Sequence, residues 1–337
     1  MSDINMTLQQ AYDLTFSCLR KNGCNEENAA AAASRLTQAE GDMCQAHGLF
    51  RLPWYVAGVK SGRVNGSSNP SVKKLAPAVV RVDGDNGFAP LAQKIAHDPL
   101  VDCARENGIA VLAITNMFHI AAMWPEVEAL AEDGLCGIAV TASYPYVAPA
   151  GGIKALFGTN PMGFAWPRRD GAPLVFDQAS SAIARGEIQI AARDGQPVPV
   201  TAGIGPDGQP TTDPNIVLQG AQLGFGGYKG ASLAMMVELL AGPLIGEFLS
   251  FEAEADDAGQ GGPPKGGELI IAIDLARFGN PEDIITHGEA LFQEVLKQDG
   301  VRLPGDRRFK ARELTKRDGI NIPKSLHDEI TSLLDES

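Results

Sequence analysis

Leu8, Ala11, Tyr12, Leu14, Thr15, Cys18 and Leu19 recur at helical spacing, so the chain opens on an amphipathic helix. Asn25 can cap a second, alanine-rich helix that runs to about Ala39. A third is predicted over 49–59, with Pro53 tolerated in its first turn, followed by a loop over 61–70. Next come an apolar strand at 79–82, a turn at 83–87, a helix over 90–106 and a strand at 109–114. Short β runs broken by Gly and Pro follow at 137–142, 155–157, 162–166 and 174–176. A helix over 232–244, a strand at 268–273 and helices over 281–297 and 323–334 complete an α/β chain. Residues 252–267 are acidic and glycine-rich and are predicted to form an exposed loop, and no internal repeat is visible.

Composition narrows the function. The 337 residues suffice for a sizeable core in two domains or one domain with a large insertion, and a net charge of −13 argues against nucleic acid as a partner. A small anion remains admissible, because local arginines can override the global field. Five scattered cysteines (18, 24, 44, 103, 136) form no metal-ligand or disulfide pattern, so a reduced, cytoplasmic setting and no metal are expected. No signal-peptide pattern opens the sequence, and no stretch nears the roughly 18 apolar residues of a membrane span.

His47 and Arg51 carry the most pointed chemistry. A titratable imidazole lies four residues from a permanent cation at a predicted helix start, where free N–H groups favour an anion. A proton source beside a carboxylate clamp suits reduction or oxidation of a small 2-keto, 2-imino or 2-hydroxy acid. The pyrophosphate loop of a Rossmann enzyme is missing: no Gly-x-Gly-x-x-Gly follows a strand. The nearest anion cradle is 224–230, Gly-Phe-Gly-Gly-Tyr-Lys-Gly, whose bland alternative is a glycine-rich connection. His97 and His287 read as helix-face residues, and Met235, Met236 and Leu240 as core.

Six ordered motifs carry a family resemblance: His47-Gly-Leu-Phe-Arg51, His119-Ile-Ala-Ala-Met-Trp-Pro125, Phe157-Gly-Thr-Asn-Pro161, Val175-Phe-Asp-Gln-Ala-Ser-Ser-Ala-Ile-Ala184, Phe225-Gly-Gly-Tyr-Lys-Gly230 and Arg302-Leu-Pro-Gly-Asp-Arg-Arg308. The chain resembles the malate/L-lactate dehydrogenase-like oxidoreductases, whose NAD(P)-binding fold is not Rossmann. Within them it is most similar to the Δ1-piperideine-2-carboxylate/Δ1-pyrroline-2-carboxylate reductases. The resemblance implies a mixed central sheet in a cofactor domain (119–295), inserted in a helical substrate-side domain formed by both chain ends (1–118 and 296–337).

It further implies NADPH, with NADH as the alternative, a small cyclic imino or keto acid substrate, and a homodimer. His47 is then the proton donor, and Arg51 and Thr159 contact substrate. The cofactor is expected against His119, Ile120, Ala121, Ala122, Met123, Asp177, Gln178, Ala179, Tyr228 and Lys229, and against the loop Arg302, Leu303, Pro304, Gly305, Asp306, Arg307 and Arg308. His119 has three open roles: stacking on the nicotinamide, serving as an alternative acid or base, or anchoring a loop. The chain departs from the reductases twice, with Ala46 where they carry serine and Glu187 where they carry aspartate. Glu187 is the expected surviving partner of the His47 relay. A 2-keto/2-hydroxy acid dehydrogenase and a degenerate NAD(P)-binding sensor are the alternative functions; a glycine-loop phosphate-binding protein lacks a Walker pattern.

Overall fold

The structure, a computed structural model, describes residues 3–119, 122–260 and 262–335. Strand β1 (Asp3–Met6) leads into α1 (Leu8–Lys21), whose Thr7 cap exchanges hydrogen bonds with Gln10, and Asn25 caps α2 (Glu26–Gly41) by accepting from the Asn28 N–H. The helix expected from residue 49 begins as two 3₁₀ turns, Gln45–His47 and Leu49–Arg51. It becomes α-helical only in α3 (Leu52–Lys60), with Pro53 in the first turn. The tighter winding matters, because His47 and Arg51 sit on those turns.

The chain continues through β2 (Ser71–Ala76), β3 (Val79–Phe88), α4 (Ala89–Asn107), β4 (Ile109–Phe118), α5 (Trp124–Glu132), β5 (Leu135–Thr141), β6 (Met162–Trp166) and β7 (Leu174–Gln178). Then follow α6 (Arg185–Arg193), β8 (Gly203–Ile204), α7 (Pro214–Gln219), β9 (Ala221–Gln222), α8 (Tyr228–Ala241), α9 (Ser250–Asp257) and β10 (Lys265–Asp274). Helices α10 (Pro281–Leu296) and α11 (Asp306–Asp318), strand β11 (Ile320–Pro323) and α12 (Lys324–Asp335) close it.

A seven-stranded sheet in the order β2-β3-β4-β10-β5-β6-β7 is the spine. Only β3 and β4, joined through α4, run parallel; the other neighbours are antiparallel. This mixed topology has no Rossmann crevice, which accounts for the missing glycine fingerprint. Leu100 of α4 and Val127 and Leu130 of α5 pack with Leu112 and Ile114 of β4 in the largest apolar cluster, while Val237 and Ala241 of α8 join Ala113, Val140 and Leu269 in another. A further cluster gathers α1, α2 and α3 with Ile320, Ile322 and Ile330, and β1 pairs with β11, so both chain ends meet. Strands β2, β3 and β4 lie in the same sheet as β10, across the 118/119 division.

Several sequence expectations are corrected. Residues 83–87 do not end a strand: β3 runs on to Phe88 through a bulge in which Asp85 and Asn86 take left-handed φ of 53° and 54°. Residues 155–157 make one isolated bridge, Val147 to Phe157, and no strand. The stretch 252–267 is not a loop throughout, since α9 reaches Asp257 with Ala253 buried and β10 begins at Lys265. Met235 and Met236, read as core, are 52% and 37% exposed, because α8 is apolar on its outer face as well. Among the described residues no helix is long and apolar enough to cross a membrane.

Candidate active site

A cavity of about 670 Å³, within the size range of ligand sites, is lined by residues at the ends of β5 and β7, by His119 just after β4, by the segments leading into β6 and β10, and by α6. His47 and Arg51 both border it. Their loop is fixed from behind: buried Glu40, at the end of α2, accepts the Leu49 N–H through Oε2 at 2.9 Å. A side chain at residue 48 would displace the Glu40 carboxylate, since a Cβ there would lie 2.1 Å from Glu40 Oε2. Burial pushes the Glu40 carboxyl up to about 7, with the Leu49 hydrogen bond opposing.

Arg51 is 5% exposed and, among the described residues, has no carboxylate partner. Its Nε donates to Ala46 O at 2.6 Å and its Nη1 to Gln189 Oε1 at 3.1 Å, and the guanidinium lies 5.1 and 5.0 Å from the Phe50 and Trp54 ring centres. These contacts set the fork's plane and leave Nη2, with the second Nη1 hydrogen, free for an anion. Burial pulls its pKa down to about 10. An uncompensated buried cation costs stability, and an anionic ligand relieves that cost.

Helix α6 forms the facing wall. Gly186 in its first turn lets the guanidinium pass, as a Cβ there would sit 2.6 Å from Arg51 Nη2 and 2.8 Å from Ala46 Cβ. The same turn carries Arg185, stacked 4.3 Å over the Tyr146 ring and donating to Leu218 O at 3.2 Å. Glu187 borders the cavity but is exposed, and no hydrogen bond joins it to the half-buried His47. Burial first, and the Arg51 charge second, push the His47 pKa down to about 4, so the ligand-free ring is neutral at pH 7.

Thr159 reaches the cavity from a clamped loop. Its carbonyl accepts from Ser180 N–H and Oγ at 2.8 and 2.7 Å, while buried Asn160 donates to Ala234 O and Glu238 Oε1 at 2.9 and 2.7 Å. Asn160 therefore anchors the loop to α8, beyond making a turn before Pro161. Asp177, Gln178 and Ala179 at the end of β7 border the cavity, as do His119, Arg307 and Arg308. Asp177 Oδ2 accepts the Met123 N–H at 2.8 Å, and Arg308 lies 3.6 Å from its Oδ1 and 4.4 Å over the Trp124 ring. Burial raises the Asp177 pKa, with Arg308 opposing. The indole is pinned in turn by Asp42, which accepts Trp124 Nε1–H at 3.0 Å and two hydrogen bonds from Arg312 of α11, each at 2.8 Å.

The structure thus brings together ten expected site residues: His47, Arg51, His119, Thr159, Asp177, Gln178, Ala179, Glu187, Arg307 and Arg308. Ala122 and Met123 stand behind the lining, and Tyr228 and Lys229 are exposed at the start of α8, where only Phe225 of that loop touches the cavity. Arg302, Leu303, Pro304, Gly305 and Asp306 also stay off the lining; Leu303 is buried and its N–H donates to Asp306 Oδ2 at 2.9 Å. Ile120 and Ala121 lie outside the described residues.

A family model described as malate/L-lactate dehydrogenase matches residues 6–331. The chain belongs to that family. A Δ1-pyrroline-2-carboxylate/Δ1-piperideine-2-carboxylate reductase from Pseudomonas aeruginosa is 46% identical to this family member, covering 98% of it and 100% of the relative. A Δ1-pyrroline-2-carboxylate reductase from Ancylobacter novellus is also 46% identical, over 98% and 97% of the two chains. The crystal structure of Δ1-piperideine-2-carboxylate reductase from Pseudomonas syringae pv. tomato superposes with a TM-score of 0.92 at 40% identity, covering 98% of this chain and 99% of that one. Membership implies a nicotinamide cofactor. The residues fit one, because Arg308 Nε and Nη1 are buried donors without an acceptor among the described residues, beside Arg307, in a cavity of suitable size.

Gln189, Arg185, Gly186 and Tyr146 were missed as site residues. Residues 185–193 alternate apolar positions at 188 and 190 and include glycine, which hides a helix; the only available signal was proximity to the Val175 to Ala184 motif.

Proposed function

We propose that this protein reduces cyclic 2-imino acids, Δ1-pyrroline-2-carboxylate and Δ1-piperideine-2-carboxylate, to L-proline and L-pipecolate with NADPH. The carrying observation is a buried Arg51 without a carboxylate partner, sharing one cavity with His47. The end-to-end similarity to reductases of that name supports the choice of substrate.

When bound, the nicotinamide supplies a hydride to C2 of the imine. Arg51 holds the neighbouring carboxylate through its free Nη edge and so fixes C2. His47 delivers the proton that the ring nitrogen needs as the C=N bond becomes C–N. A carboxylate at Arg51 cancels the charge that helps hold His47 deprotonated, so the substrate itself draws a proton onto the imidazole. Trp54 and Tyr146 wall the reacting atoms from bulk water. Arg307 and Arg308, with Asp177 orienting Arg308, hold phosphate of the cofactor.

Oxidation of NADPH and NADH followed in parallel with the two cyclic imines, pyruvate and oxaloacetate tests this reading. Turnover of the imines, faster with NADPH, is expected. Turnover confined to the open-chain acids overturns it in favour of a 2-keto acid dehydrogenase. Cofactor binding with no turnover favours a sensor, the reading to which Ala46 and the exposed Glu187 lend weight.

The protein acts as a homodimer through α8, whose outer face carries exposed Tyr228, Met235, Met236 and Leu239, a stripe that favours cover by a second copy. Light scattering giving a monomer mass at micromolar concentration removes this part. Five unbridged cysteines accord with a reducing, cytoplasmic setting, which cell fractionation checks.

A further inference from the structure

His119 directly follows β4 at the cavity wall, with its backbone N–H donated to Pro264 O at 3.0 Å. Behind it lies a buried polar network that the proposed reaction leaves unused. Gln93 of α4 accepts from Arg35 Nη2 through Oε1 at 3.3 Å and donates from Nε2 to Glu268 Oε2 of β10 at 2.7 Å. The same Nε2 stands 3.3 Å from His119 Nε2.

These contacts fix the amide's orientation. A guanidinium has only donors, so the Gln93 oxygen must face Arg35 and the NH₂ must face Glu268 and His119. An amide nitrogen cannot accept, so His119 Nε2 is the acceptor and the neutral ring carries its hydrogen on Nδ1. That Nδ1 is buried and, among the described residues, has no hydrogen-bond partner.

The charged and titratable groups around the ring act in concert. Burial first, then the charge of Arg35 of α2 and that of His47 across the cavity, disfavour an imidazolium and push the His119 pKa down. Glu268 is 3.9 Å from His119 Nε2, with the Gln93 NH₂ hydrogen-bonded to both, and burial beside Glu126 raises its pKa. Glu126 of α5 is engaged by Arg35 at 2.8 Å. Of the two buried carboxylates behind the ring, Glu126 is thus engaged by Arg35, and Glu268 accepts the same Gln93 NH₂ that faces His119.

We propose that Gln93 is a positioning residue that locks His119 as the neutral Nδ1–H tautomer, leaving His47 the one histidine of the cavity that changes protonation during turnover. The claim rests on the reading above for the role of His47, but the tautomer itself does not. It excludes the alternative acid–base role for His119.

The test is ¹H–¹⁵N two-bond correlation NMR of the full-length protein labelled in histidine, with His119→Gln for assignment, over pH 5–9. Wild type is expected to show His119 protonated on Nδ1 and unchanged over the range. Gln93→Glu, which turns the donor into an acceptor, is expected to move the proton to Nε2 and let the ring titrate; Gln93→Leu is expected to mix the tautomers. In kinetics, either variant should lose about 10–100-fold in kcat, by analogy with outer-shell partners of orienting histidines, and gain a second ionisation in the kcat–pH profile. An Nε2–H His119 in wild type, a His119 that titrates between pH 5 and 8, or an unchanged tautomer in Gln93→Glu overturns the proposal. Failure of imine turnover with the Nδ1–H tautomer intact overturns the functional reading alone.

Discussion

Arg51→Met should lower kcat/KM for a cyclic 2-imino acid by about 10²–10⁴-fold, the equivalent of roughly 3–5 kcal/mol for a buried charge pair that loses one partner. The folded protein should not suffer in parallel. Among the described residues Arg51 is a buried cation whose hydrogen-bond partners, Ala46 O and Gln189 Oε1, are neutral, so an apolar side chain of similar length removes a desolvation cost. Thermal unfolding without ligand is expected at an equal or higher midpoint than wild type. Arg51→Lys keeps the charge but loses the planar fork, and is expected to recover only a minor part of the loss. A large fall in the midpoint with unchanged KM in Arg51→Met would assign the residue to architecture.

His47→Asn should reduce kcat by about 10²–10⁴-fold, the usual worth of a positioned general acid. The pH dependence gives the stricter reading. With its pKa pushed down to about 4, His47 is predominantly deprotonated in the free enzyme at pH 7. Because the proton is consumed in turnover, kcat/KM should fall as pH rises through the neutral range. The fall in kcat should come at higher pH, since a bound carboxylate offsets the Arg51 charge and returns the imidazole toward its ordinary value of 6.5. Steady-state profiles from pH 5 to 9 check this, and a descending limb that persists in His47→Asn would give the proton to another group.

What could be read before the structure was whatever repeats in a pattern. Asn25 marked the start of α2 because its side chain is short and polar and an alanine run follows, and β10 declared itself by an apolar run. The strands β1 and β11 are four residues each, too short for any period, and exist because each pairs with the other. Helix α11 is mostly polar, with just Phe309, Ala311 and Leu314 to hint at a buried face; Arg312 bonded to Asp42 and Glu128, with Thr315 bonded to Gly41 O, hold it in place.

The site divides in the same way. His47, Arg51 and Thr159 were visible because their neighbours form short motifs with a known chemistry. The groups that aim them were not visible: Glu40 lies seven residues before His47, and Gln189 is 138 residues from Arg51. Gln93 has the appearance of a surface residue on an amphipathic helix, and only the fold reveals that it is buried among Arg35, Glu268 and His119. Long-range polar partners leave no periodic trace.

The most direct test of the carboxylate clamp is a cycle that removes either half of the contact: kcat/KM for Δ1-pyrroline-2-carboxylate and for Δ1-pyrroline, which lacks the carboxylate, measured on wild type and Arg51→Met. Wild type should prefer the acid by about 10²–10⁴-fold and Arg51→Met by less than about tenfold, so that the two losses do not add. An undiminished preference for the acid in Arg51→Met would contradict the account.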